Sequence, residues 1–196
     1  MQNNLKHPLK MSVFAVGGGG KNIVSTSKIM NEDKSVNFVA IDTDEDHKSL
    51  IKTEIIVKNP SDAAEIEHKV ANLLNDMECA IIIAAFGGET GTNITPLLLN
   101  ILHQKKILTL CIVTTPFAFE GNRKISKALV AIEQIKESKT AVIVYNNNDS
   151  IKEVRDLPMG KAFEYMDNKI ADTLSEVVSG GAKGIDSYAA QWGFRE

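Results

Sequence analysis

The chain shows the same local pattern twice: a continuous apolar run, rich in β-branched residues, ends in glycines and leads into a helical period. Ser12-Val13-Phe14-Ala15-Val16 runs into Gly17-Gly18-Gly19-Gly20-Lys21-Asn22, and Ile81-Ile82-Ile83-Ala84-Ala85 runs into Phe86-Gly87-Gly88-Glu89-Thr90-Gly91-Thr92-Asn93. Runs without polar alternation read as strands buried on both faces, which belong to parallel sheets covered by helices. Residues 11–16 and 79–86 are therefore predicted strands, joined by runs at 36–41, 55–57, 107–113 and 141–145. Helical patterns separate them, so the fold class is α/β with a parallel sheet.

Three of those helices can be drawn from period and punctuation. Residues 61–75 form one, with Ser61 as cap and Ala64, Val70, Leu73 and Leu74 on its inner side. Residues 94–104 form a second, with Pro96 near its start. Residues 160–178 form a third, in which Phe163, Met166, Ile170, Leu174 and Val177 recur at helical spacing and Gly180 and Gly181 supply the stop. Residues 182–196 show no clear period.

At 196 residues the chain fits one domain. A net charge of −3 gives no basic field, so no nucleic-acid partner is expected. Cys79 and Cys111 each lie inside an apolar run and read as buried thiols of a reducing, cytoplasmic compartment. Residues 1–10 are polar, and no apolar run is long enough to span a bilayer, so no direct membrane insertion is expected. His7, His47, His68 and His103 lack ligand spacing and read as surface residues, leaving no metal site.

A strand that turns through glycines into a helix is suited to an anion, because the backbone can come close and the helix N-terminus offers unpaired N–H groups. The first loop fits neither familiar phosphate motif. A P-loop needs glycine where Ala15 stands and Ser or Thr where Asn22 stands. A dinucleotide fingerprint would use Gly17, Gly19 and an acid such as Asp42, but its third glycine falls on Asn22. A nicotinamide-dependent enzyme is thus one reading. The second loop favours another, since two such turns at one edge of a parallel sheet can hold several phosphates together, with the Thr90 and Thr92 hydroxyls as further donors.

That second loop resembles the GGGTGTG signature of the tubulin/FtsZ family, and Gly17 to Asn22 resembles the family's first loop, GGGGGN. Ile41-Asp42-Thr43-Asp44 is similar to its NTD loop, and Thr115-Pro116-Phe117-Ala118-Phe119-Glu120-Gly121 to its TKPFNFEG ribose loop. Asn147-Asn148-Asp149 stands at its PND, and Ala162-Phe163 through Asn168 resembles the central helix that reads guanine. The resemblance implies a Rossmann-like tubulin/FtsZ nucleotide-binding domain over residues 1–181, with 182–196 a remnant of the acidic-loop region and tail. It implies GTP or GDP as ligand, with Mg²⁺ as a compatible accompanying ion.

Carried over by position, the resemblance places Gly18, Gly19, Gly20 and Asn22 against the nucleotide and has Gly87, Gly88, Thr90, Gly91, Thr92 and Asn93 cradle its phosphates. Glu120 would accept from the ribose hydroxyls, with Lys124 or the adjacent Arg123 as the nearby cation. Phe163 would stack on the base, and Asp167 would accept from guanine N1–H and the 2-amino group.

The chain departs from the pattern at three glycines, replaced by Lys21, Glu89 and Asn93. Lys21 can attract phosphate, whereas Glu89 repels it unless it turns away or meets Lys21 or a metal ion. The loop that approaches the γ-phosphate shrinks to Lys58-Asn59-Pro60-Ser61. The family hydrolyses GTP by polymerising, one subunit's acidic NxDxxD loop completing the next subunit's site. Here the best match is Gly184-Ile185-Asp186-Ser187-Tyr188-Ala189, which keeps Asp186 as the catalytic candidate. The family's C-terminal domain is expected to be absent, either because the chain is a truncated piece or because it is a natural short homologue.

Two functions follow from the resemblance: a guanine-nucleotide-binding protein, with GTPase activity only if the acidic loop is supplied in trans, acting in cell division, septation or cytoskeletal assembly; or a non-hydrolysing module that binds or caps FtsZ polymers. Self-association or an FtsZ-type protofilament partner is implied in both.

Overall fold

The computed structural model describes residues 10–46, 49–138 and 140–192. Of the readings made above, those for residues 1–9 with His7, for His47 and for residues 193–196 lie outside the described residues.

Among the described residues six strands form one sheet: β1 (Met11–Val16), β2 (Asn37–Asp42), β3 (Thr53–Ile56), β4 (Cys79–Ala85), β5 (Leu108–Thr115) and β6 (Ala141–Asn146), in the order β3-β2-β1-β4-β5-β6. Every neighbouring pair is parallel. The chain builds outward from β1 to β3, crosses back, and builds outward again on the other side from β4 to β6. The reversal falls between β1 and β4, so the loops leaving their C-terminal ends diverge and open a crevice, the usual place for a ligand in an open α/β sheet.

Alternate residues of the central strands feed two cores. Phe14, Val16, Ile82, Ala84 and Val113 face one way, beneath α3 (Ala63–Leu74), α4 (Thr90–Gln104) and α5 (Asn122–Lys136). Val13, Ala15, Ile81, Ile83 and Ile112 face the other, where Ile23 and Val24 of α1 (Gly17–Thr26) and Ile170, Leu174 and Val177 of α7 (Met159–Trp192) close over them. The short α2 (Ile29–Glu32) and α6 (Ile151–Val154) connect this framework. Burial on both faces is why the strands read as unbroken apolar runs.

Three expectations are corrected. The α3 helix is capped by Asp62, whose carboxylate accepts from Glu65 N at 3.1 Å, and not by Ser61. Its buried face is Ile66, Val70 and Leu74, while Ala64 is exposed. The glycine pair at the end of the third helix does not stop it: Gly181 makes a kink (φ 57°, ψ −140°), and helix resumes to Trp192. A Cβ at Gly184 would stand 2.3 Å from Val177 O, and Ile185 is fully buried, so the segment after the kink folds back onto α7.

His68 and His103 are exposed, as expected. Both cysteines are buried thiols, and burial pushes the Cys79 pKa up to about 12, so neither is poised as a nucleophile. Among the described residues no helix is long and apolar enough to cross a membrane.

Candidate functional site

A cavity of about 390 Å³ lies at the C-terminal ends of β1, β4 and β5, in the crevice that the strand order creates. Its walls come from five places: the Gly17–Asn22 turn, the Phe86–Gly91 loop, the segment holding Pro116, Glu120 and Lys124, Asn147 in the turn after β6, and the first turns of α7.

The two glycine loops reach it differently. The turn after β1 enters helix at once, with Gly17 at φ +70°, a conformation that side chains rarely tolerate. A Cβ on Gly20 would lie 2.4 Å from Ile83 O, so the glycine lets the first turn of α1 press against β4. The loop after β4 is more open. Gly88 has nothing within 4 Å of where its Cβ would be, while Thr92 Oγ1 accepts from Gly87 N at 2.9 Å and pins the loop from behind. Thr90 and Thr43 share a hydroxyl contact of 2.8 Å, tying this loop to the end of β2. Two helix starts, α1 and α4, therefore face the same space, and their first-turn N–H groups lack intrahelical acceptors.

The opposite end of the cavity is aromatic and acidic. Phe163 sits edge-on to Phe117, with ring centroids 5.6 Å apart, and Phe117 in turn stacks on Phe119 at 4.8 Å. Asp167, one helical turn beyond Phe163, lines the cavity, and burial followed by the charge of Glu164 pushes its pKa up to about 6. The Asn147 carboxamide oxygen is buried beside them without a partner among the described residues. A buried acceptor left open is costly unless something donates to it. Glu120 accepts from Phe117 N at 2.9 Å and pairs with Lys124 at 3.1 Å, which fixes both side chains at the rim.

Of the residues chosen from sequence, the structure brings Gly18, Gly19, Asn22, Gly88, Thr90, Gly91, Glu120, Lys124, Phe163 and Asp167 to one cavity. Gly20, Gly87, Thr92 and Asn93 do not line it. Gly20 packs against β4, Gly87 and Thr92 shape the loop, and the Asn93 amide donates to Glu89 at 3.3 Å. Lys124 and not Arg123 reaches the lining. Asp186 is exposed on the helix beyond Gly181, outside this cavity. Asn147, which the sequence offers only as part of the Asn147-Asn148-Asp149 motif with no role of its own, also lines the cavity; it stands in a run of three asparagines of equal sequence character.

One charge expectation is also corrected. Lys21 does not face the cavity: it is buried, 2.7 Å from Asp42 and 3.0 Å from Glu54. Burial works against its ammonium, but the bonds and charges of Asp42 and Glu54 outweigh it and hold the pKa above the ordinary value. Glu89 instead pairs with Lys127 of α5. The same arrangement undercuts a nicotinamide site, because Asp42, which would have to meet a ribose, is 2 % exposed and engaged with Lys21 and Thr43 N. Among the described residues no group of three or more His, Cys, Asp or Glu side chains is placed to hold a metal ion.

Residues 58–155 match the family model described as Tubulin/FtsZ family, GTPase domain. The chain is 34% identical over 194 residues to the cell division protein FtsZ of Aquifex aeolicus, covering 88% of this chain and 52% of that protein. It is 30% identical over 185 residues to the cell division protein FtsZ 2 of Halobacterium salinarum, covering 86% and 47%. The chain thus spans about half the length of the curated relatives it matches. Its fold is similar to an empty FtsZ dimer from M. jannaschii (TM-score 0.77, 23% identity, 89% of this chain and 55% of that one). It is also similar to CetZ from Methanosaeta thermophila (TM-score 0.72, 17% identity, 92% and 57%).

Proposed function

This chain belongs to the tubulin/FtsZ family, and we propose that its cavity binds a guanine nucleotide, with the phosphates between the two glycine loops and the base against α7. One observation carries the reading: Phe163 and Asp167, from a helix remote in sequence, line the same cavity as both phosphate loops. An aromatic face beside a carboxylate suits guanine, whose N1–H and 2-amino group both donate, whereas adenine has no N1–H or 2-amino group to offer. Calorimetric titration of nucleotide-free protein with GTP, GDP, ATP and NAD tests it. Binding of GTP and GDP alone, lost in Asp167→Ala, is expected; equal binding of ATP would sink the base assignment.

The raised pKa of Asp167 gives this binding a pH dependence. Only the carboxylate accepts both guanine donors, so affinity is full well above pH 6 and falls as the pH drops through about 6. From pH 7.5 to pH 5 the loss is roughly tenfold, one pH unit below the pKa. A GDP affinity flat across that range would count against Asp167 as the base-reading group.

Hydrolysis is the narrower proposal. Among the described residues the carboxylates in the lining are Glu89, Glu120 and Asp167, and the last two are committed to the rim and base end. Asp186 lies past the Gly181 kink, and Gly181 itself is about 20 Å along the helix from Asp167. It can act only on another molecule's nucleotide, as in head-to-tail assembly of a cytoplasmic protein in cell division or cytoskeletal assembly. GTP turnover should then rise more than linearly with protein concentration and fall in Asp186→Ala. The placement of Asp186 within helix, in place of an open acidic loop, favours a second reading: a nucleotide-binding module that joins or caps FtsZ polymers without turnover. Turnover absent at every concentration, with altered assembly of added FtsZ, would select it.

A further inference from the structure

Among the described residues the ionisable side chains lining the cavity are Glu89, Glu120, Lys124 and Asp167, three acids and one base. The base is paired with Glu120 at 3.1 Å, and Lys21, the cation closest in sequence to the first glycine loop, is turned into the ion pairs with Asp42 and Glu54. Attraction for phosphate must come from backbone N–H groups and helix starts, not from side-chain charge. Glu89 is the lining acid at the phosphate end. It is the N-cap residue of α4, yet its carboxylate makes no capping bond; it reaches out to Lys127 and accepts from the Asn93 amide at 3.3 Å. Lys127 holds the Glu89 carboxyl below its ordinary range, with a smaller contribution from Arg123, so the charge is present at neutral pH.

Resting on the reading of this cavity as a guanine-nucleotide site, we propose that Glu89 sets how many phosphates the site accepts: its carboxylate opposes a terminal phosphate unless Lys127 or a divalent cation neutralises it. A nucleoside triphosphate carries about one more negative charge than the diphosphate, and that charge is added at the outer end of the chain, toward the mouth where Glu89 is exposed. For scale, two unit charges about 6 Å apart in an effective dielectric between 20 and 80 change an equilibrium by roughly 3- to 100-fold. The diphosphate, held deeper between the helix starts, feels less of it. A divalent cation bound to the outer phosphates changes the sign of the interaction, since a carboxylate is an ordinary oxygen ligand for such an ion.

The test is the ratio of GTP to GDP affinity, measured by calorimetry on the nucleotide-free chain in EDTA and in Mg²⁺, for the parent and for Glu89→Gln and Lys127→Gln. Glutamine keeps the size of Glu89 and an acceptor for Asn93. In EDTA, Glu89→Gln should shift the ratio toward GTP by about tenfold, with GDP affinity changing less than about threefold. Lys127→Gln should shift it the other way, by about threefold, and the gain in GTP affinity on adding Mg²⁺ should shrink in Glu89→Gln. A ratio unchanged within about twofold in both variants, while guanine nucleotides still bind, overturns the proposal and leaves the site standing. Absence of guanine-nucleotide binding in the parent overturns both.

Discussion

The two glycine loops look alike as text and do different work. In the first, glycines are consumed by packing: Gly19 and Gly20 leave room for Ala85 and Ile83 of β4, and the one charged residue, Lys21, is 1 % exposed in a network with Asp42 and Glu54. In the second, glycine leaves space open at Gly88, and the charged residue, Glu89, stands at the cavity mouth with its side chain 65% exposed. A glycine run therefore reports that a backbone comes close to something, and the neighbouring strand or the ligand is equally able to be that something. Charge follows the same division: the first loop spends its cation on the fold, and the second exposes an anion to whatever binds.

The largest consequence of this contrast is at Lys21. Lys21→Met removes a charge from a buried ion pair and leaves Asp42 in the interior, which should cost ~3–5 kcal/mol in urea unfolding. Lys127→Met, at the exposed pair of the second loop, should leave the unfolding midpoint unchanged within error. Comparable losses in the two variants would erase the distinction. Next in size is Gly20→Ala, whose Cβ meets Ile83 O at 2.4 Å and should cost ~1–3 kcal/mol, against less than ~0.5 kcal/mol for Gly88→Ala in open space. The smallest effect sharpens the second loop itself: Thr92→Val strips the acceptor from the buried Gly87 N–H and should cost ~1–2 kcal/mol. It should also weaken nucleotide binding, because the loop is held in place by that bond. A variant that loses stability but keeps full affinity would show the loop to be shaped by its glycines alone.

The sheet was legible because strands buried on both faces leave unbroken apolar runs, and β1, β4 and β5 each have one. Legibility failed where two neighbours offered the same chemistry. Ser61 and Asp62 are both good caps, and only the backbone decides that Asp62 meets Glu65 N. Gly180 and Gly181 read as a stop, but the contact of Gly184 with Val177 and the burial of Ile185 repay continuing the helix after a kink. Within the site, Gly18, Gly88, Phe163 and Asp167 were found through motif position. The direction of Lys21 was not, because its partner Glu54 lies 33 residues away on the edge strand β3, a pairing that emerges only once the sheet order is known. The motif position of Asn147 carried no role for a related reason: three successive asparagines differ only in how the short turn after β6 aims them.

The central claim, a guanine site built on Asp167, is tested most directly by the affinities of the nucleotide-free chain for GDP, IDP and ADP at pH 7.5. IDP keeps N1–H and lacks the 2-amino group, so one of two bonds to the carboxylate is lost and affinity should fall ~10- to 100-fold below GDP. ADP lacks both donors and should bind at least ~1000-fold more weakly. That graded order, collapsing in Asp167→Ala, is the predicted result; GDP and ADP binding equally, or neither binding, would contradict it.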